Sequence, residues 1–178
     1  YKTFTKRTPV AEIEIGAQMQ DENGPYTDVT IQFYQSQSAL AAILVGEKET
    51  TELGEELTYR LYGDEVSIDG PTIKLKNELL LLNLENAYKI VRIRSEYSDP
   101  DLEDNRDIEN MPRRYDFSDG VQGWREFDKT YRSSTPLGWF YRLFVDSSTI
   151  QSSGVFVPEA DTSYTLYVTT NGFTFDQE

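Results

Sequence analysis

Asp28-Val29-Thr30-Ile31-Gln32-Phe33 alternates strictly, with Val29, Ile31 and Phe33 on one face and Asp28, Thr30 and Gln32 on the other. Successive side chains of a strand leave on opposite faces, so a period of two marks a strand with one side on a core and one in water. The pattern recurs in both directions from this stretch. Ala11-Glu12-Ile13-Glu14-Ile15, Leu57-Thr58-Tyr59-Arg60-Leu61-Tyr62, Thr72-Ile73-Lys74-Leu75-Lys76 and Tyr88-Lys89-Ile90-Val91-Arg92-Ile93-Arg94 all alternate. Near the end, Tyr164-Thr165-Leu166-Tyr167-Val168 runs into Asn171-Gly172 and then Phe173-Thr174-Phe175. An Asn-Gly pair between alternating runs is a hairpin signal, because both residues tolerate positive φ.

Turn residues punctuate the chain at short intervals: Asn23-Gly24-Pro25, Gly63-Asp64, Asp69-Gly70-Pro71, Asp119-Gly120 and Ser153-Gly154. This spacing predicts an all-β fold, an antiparallel β-sandwich of Greek-key or jelly-roll kind with about ten to thirteen short strands. No helical stripe is read over three turns. Gln35 to Val45 is the best helix candidate, with Ser36 or Ser38 as cap, although its second half reads better as a buried strand. One segment departs from the pattern: 95–114, SEYSDPDLEDNRDIENMPRR, reads as a single long acidic loop. It separates a strand set in 1–94 from another in 115–178, within one domain.

The chain has 178 residues, enough to bury roughly two-thirds of its unfolded surface without a disulfide or metal. It contains no histidine and no cysteine. That composition removes the usual general base, the commonest metal ligand and the thiolate nucleophile. A Ser-His-Asp triad is therefore excluded, and no Walker or dinucleotide-binding fingerprint is present. The expectation is a protein that is not an enzyme. The net charge of −14 opposes phosphate backbones and anionic lipid, so nucleic acid is not an expected partner. No apolar run approaches the roughly 20 residues that cross a bilayer, so no membrane insertion is expected. The chain opens at Tyr1, which points to removal of a signal, pro-segment or tag.

Four groups of residues carry candidate chemistry. Asp99, Asp101 and Glu103 stand at i, i+2 and i+4, a spacing that can converge oxygens on Ca²⁺, the one metal considered. The helix-loop-helix calcium pattern fails, because Asp104 occupies the glycine position and Asn110 the bidentate glutamate position. Tyr115-Asp116-Phe117-Ser118-Asp119-Gly120-Val121-Gln122-Gly123-Trp124 resembles the opening of some β-sandwich carbohydrate-binding modules. The resemblance covers ten residues, and only 54 follow Trp124 where such modules run much longer.

Aromatic side chains form the third group. Trp124, Tyr131, Trp139 and Tyr141 are candidate platforms for a sugar ring, with Asp119 taking hydroxyls. The fourth is Trp139-Phe140-Tyr141-Arg142-Leu143-Phe144-Val145, read as a strand apolar on both faces. A strand of that kind is either central between two layers or meets another subunit, which makes Trp139, Phe140, Tyr141, Arg142 and Phe144 the candidate interface.

The first functional expectation is a non-enzymatic structural protein, such as a virion or tail-accessory component or a surface-array subunit. Its partners would be other protein subunits, including copies of itself. The alternative is an extracellular carbohydrate-binding module with a glycan partner at Trp124, Tyr131 and Asp119. The expected location is the virion or the extracellular surface, and no cofactor beyond Ca²⁺ is implied.

Overall fold

The computed structural model describes residues 7–34, 53–80, 87–117, 120–169 and 171–178. The candidate helix at Gln35 to Val45 and the candidate ligand Asp119 lie outside the described residues. In chain order the elements are β1 (Thr8–Ile15), β2 (Met19–Asp21), β3 (Gly24–Tyr34), β4 (Leu53–Leu61), β5 (Glu65–Leu75), α1 (Asn77–Leu80), β6 (Ala87–Tyr88) and β7 (Arg92–Glu96). They continue with α2 (Pro100–Asp104), β8 (Arg114–Asp116), α3 (Gly120–Tyr131), α4 (Pro136–Phe144), β9 (Val145–Phe156), β10 (Thr162–Thr169) and β11 (Gly172–Gln177).

The fold is mostly β and consists of two antiparallel sheets. The first runs β11-β10-β1-β3-β2, with β4 also on β3. The second runs β6-β5-β7-β8, with β9 on the other side of β5. Strands before and after the 95–114 segment are mixed in both sheets: β1 pairs β10, and β5 pairs β9.

Alternation in the sequence sets which side of each strand is buried. Ile13 and Ile15 of β1, Val29 and Ile31 of β3, Val66 and Ile68 of β5, Ile93 of β7 and Leu166 of β10 join one core cluster, so both sheets share it. Each such side chain contributes about 1.5–3 kcal/mol by leaving water. A second cluster holds Tyr26, Tyr62 and Tyr97, with Met111 packed on it. There the Tyr97 hydroxyl donates to the Pro25 carbonyl at 2.6 Å, and the Arg60 guanidinium lies 4.0 Å from the centre of the Tyr26 ring. Part of the tyrosine excess is thus structural.

Three expectations are corrected. The run 139–145 is no strand: residues 136–144 form α4, and only Val145 begins β9. The Asp-Gly turn expected at Gly120 gives way to α3, whose Trp124, Phe127, Asp128 and Tyr131 form a stripe at i, i+3, i+4 and i+7. The 95–114 segment is not one loop. Ser95 and Glu96 end β7, residues 100–104 form α2, and Arg114 begins β8. Asp99 followed by Pro100 accounts for α2, because the Asp99 side chain accepts from the Asp101 amide at 2.9 Å and proline suits the first helical turn.

The hairpin expected at Asn171-Gly172 is present, with Thr169 opposite Gly172 and Gly172 at φ +124°. A tighter constraint sits at Gly70, in the middle of β5. Between β6 and β7 the chain passes so close that a Cβ on Gly70 would overlap the Lys89 carbonyl. There the Lys89 amide donates to Pro71 and the Val91 amide to Asp69. Gly70→Ala is expected to lower unfolding free energy by about 1–3 kcal/mol, as overpacking does. Urea denaturation of the variant beside the wild-type chain measures it.

Candidate interaction face

The residues bringing α3 and α4 into place are few. Thr135 caps α4, its hydroxyl accepting from the Gly138 amide at 3.2 Å, and Pro136 opens the helix. The α3 stripe faces the outward side of β9. Trp124 Nε1 donates to Ser148 Oγ at 2.9 Å, and the Tyr131 hydroxyl donates to the Asp146 carbonyl at 3.2 Å. The two helices then close on each other. Tyr141 packs on Phe127 with ring centres 4.9 Å apart, and Arg142 Nη1 donates to the carbonyls of Tyr131 at 2.6 Å and Ser133 at 2.8 Å. Those carbonyls end α3, so a cation meets the negative end of a helix dipole.

Gly138 makes the approach possible. A Cβ there would overlap the Thr130 carbonyl oxygen and lie 2.7 Å from that of Ser133. With Gly138, Tyr141 and Arg142 turned inward, the rest of α4 points the other way. At roughly 100° per residue, Leu137, Trp139, Phe140, Leu143 and Phe144 fall on one continuous arc. Leu137 is 51%, Trp139 61%, Phe140 51%, Leu143 44% and Phe144 38% exposed. The ordinary arrangement of a surface helix is reversed: the small and polar residues face the protein and the apolar ones face solvent.

The next element also exposes apolar side chains. β9 follows α4 without a break, and Ile150 and Phe156 stand exposed on its outward side. Among the described residues β9 pairs only with β5, and β11 packs close against it where Gly172 meets Gln151. An exposed apolar helix face is a surface for protein contact.

The interface residues predicted from sequence therefore fall in one element, though in two roles. Trp139, Phe140 and Phe144 lie on the outer face, while Tyr141 and Arg142 hold the hairpin. Of the glycan candidates, Trp124 and Tyr131 point at β9 and hydrogen-bond within the fold.

The Ca²⁺ candidates do not assemble. Asp99 caps α2, and Glu103 accepts from the Tyr97 amide at 3.0 Å and pairs with Arg106 at 2.8 Å and with Arg113. Asp101 is exposed on α2, and no group of three or more acidic side chains among the described residues is placed to hold a metal. The Arg106 side chain is buried, so Glu103 answers a cation inside the protein and is not available to one from solvent.

Two grooves lie among the described residues. One of about 320 Å³ on the first sheet is lined by Glu12, Glu14, Glu56 and Glu178 with Tyr34 and Tyr164. Two of its carboxylates have partners: Glu12 accepts from the Tyr34 hydroxyl and from Thr165 Oγ1, and Thr165 also meets Glu178 at 3.1 Å. The other, of about 220 Å³ on the second sheet, is lined by Arg92, Arg94, Arg113 and Arg114 with Ser95 and Glu96.

Two tests follow from this geometry. Gly138→Ala forces α4 away from the end of α3, with an expected cost of about 1–3 kcal/mol and a red-shifted Trp124 emission in a Trp139→Phe background. The Tyr34 phenol, donating to Glu12 and partly buried, is pushed up to about 12 from 10.0. Its folded value lies above its unfolded one, so the stabilisation is complete below pH 10 and is lost as pH rises toward 12. Alkaline unfolding followed by circular dichroism should weaken less steeply over that interval in Tyr34→Phe. Comparison with known proteins returns no match to this chain among family models, curated proteins or solved structures.

Proposed function

We propose that this chain is a non-enzymatic assembly protein that docks on neighbouring subunits through the outer face of α4. The reversed amphipathicity of α4 carries the reading. Five large apolar side chains within eight residues stand in solvent on a helix whose inward side is locked by Gly138 and Arg142. Trp and Phe are the residue types enriched at the centres of protein interfaces.

The framework we infer is an antiparallel β-sandwich of Greek-key or jelly-roll kind, rigid enough to present the hairpin in one orientation. The setting we infer is a virion, a tail-accessory structure or a surface array, built from such subunit contacts. The net charge of −14 keeps free subunits apart until apolar faces meet.

Light scattering across a concentration series tests the reading. The wild-type chain is expected to gain mass with concentration, with Trp139 emission shifting to the blue as its ring is covered. Phe140→Asp with Phe144→Asp should abolish both changes and leave far-ultraviolet circular dichroism intact, because neither side chain is in the core. Unchanged association in that variant rejects the face. A Trp139 emission change on titration with oligosaccharides would replace assembly with glycan binding.

A further inference from the structure

The second sheet presents an outward face that the core does not use. Ser67 and Asp69 of β5 point there, since Val66 and Ile68 point into the core. The register carries the alternation across three strands. Asp69 lies between Ser152 of β9 and Arg92 of β7, and Arg92 lies opposite Asp116 of β8. In the next row Ser67 lies between Gly154 and Arg94, and Arg94 lies opposite Arg114.

Two arginines directly opposed on neighbouring strands repel each other, an arrangement that destabilises a sheet. In a chain with 10 arginines and an excess of acids, four of the 10 line this one groove. The carboxylates nearby organise these cations without saturating them. Asp69, almost wholly buried, accepts from Arg94 Nε at 2.9 Å, and on the same oxygen it forms an ion pair with Arg92, whose Nε lies 3.1 Å away without a hydrogen bond. The Nε bond fixes the plane of the Arg94 guanidinium, while Arg92 is held to Asp69 by charge alone.

Arg94 uses its terminal amines on Glu96 and on Ser152 at 3.1 Å. Arg113 is taken by Glu103. Arg92 makes no side-chain hydrogen bond among the described residues, and Arg114 meets only Asp116, at 3.8 Å with both side chains largely exposed. The groove thus holds two guanidinium groups with open donors, one braced by a buried carboxylate and the other repelled by Arg94.

We propose that this groove binds a small oxyanion, a carboxylate or phosphate group, between Arg92 and Arg114. Paired N–H donors of a guanidinium match two oxygens of such a group, and its negative charge removes the Arg94–Arg114 repulsion. The volume of about 220 Å³ suits a compact ligand, and Glu96 and Asp116 at its rim repel extended polyanions. Asp69 is a positioning residue here. The site is on a different part of the molecule's chemistry from the α4 face, and neither depends on the other.

Thermal unfolding and ¹H–¹⁵N spectra of the arginine Nε groups test it, with sodium acetate and sodium phosphate each compared with sodium chloride at equal ionic strength. At ten times the dissociation constant, one of the two oxyanions should raise the melting temperature by about 3 °C over chloride. It should also move the Arg92 and Arg94 Nε resonances. A response to acetate alone assigns a carboxylate ligand, and a response to phosphate alone assigns a phosphate.

Arg114→Gln, an exposed change, should keep the fold, match or exceed wild-type stability in chloride, and lose most of the oxyanion response. Phosphate also stabilises proteins by exclusion from their surfaces, so the variant separates binding from that general effect. An equal rise in Arg114→Gln, no rise over chloride with either oxyanion, or a variant less stable than wild type in chloride would each overturn the proposal.

Discussion

The register between β5 and β9 is the constraint on which the rest of the molecule hangs. It runs antiparallel from Glu65 opposite Phe156 to Leu75 opposite Val145, with one shift near the end. That ladder joins segments about seventy residues apart, and closing so long a loop is offset by a continuous set of backbone hydrogen bonds and a buried face. Val66 and Ile68 enter the core because of it, and Asp69 is aligned under Arg92. It also fixes the point at which α4 must stop, since the Lys76 amide donates to the Phe144 carbonyl at 3.0 Å. Slipping the register by one residue would turn Asp69 into the core and Ile68 into water.

The strands were legible because one side of each is wet. Val29, Ile31 and Phe33 alternate with polar residues, and that period of two has no helical counterpart. The outward helix was illegible for the opposite reason. Trp139 to Val145 is rich in residues that favour strands, and seven residues are too few to separate a period of 2 from one of 3.6. Pattern reading also assumes that apolar residues face inward, whereas α4 turns Gly138 and Arg142 inward. The signal that could have identified it was Thr135-Pro136, a capping residue with proline at the first turn. Asp99-Pro100 marks α2 in the same way, in a segment whose acidity suggested solvent. What no pattern in the chain could show is that Glu103 faces a buried Arg106, because that pairing needs the fold first.

Charge is distributed in a way that composition alone conceals. A net charge of −14 leads one to expect cations scattered as isolated counterions. Instead Arg60 covers Tyr26 and pairs with Asp28 at 3.1 Å, Arg106 is buried beside Tyr97, and Arg142 ends a helix. Each serves a structural position. Arg92 and Arg114 have donors left over and line a groove together.

The reversed helix raises an energetic question that the fold answers only in part. Turning α4 by half a turn about its axis would bury Trp139, Phe140 and Leu143, each contributing about 1.5–3 kcal/mol if fully removed from water. The turn is blocked because it would carry Arg142 away from the carbonyls of Tyr131 and Ser133, leaving the end of α3 without its cation. It would also bring bulky rings where only Gly138 fits against Thr130 and Ser133. Local bonds therefore hold the helix in an orientation that exposes apolar area, and the stabilisation forgone inside the chain is available to whatever covers that face. On the proposed reading this is how the subunit keeps a strong contact for its neighbour: the hairpin cannot satisfy its own apolar surface, so a partner must.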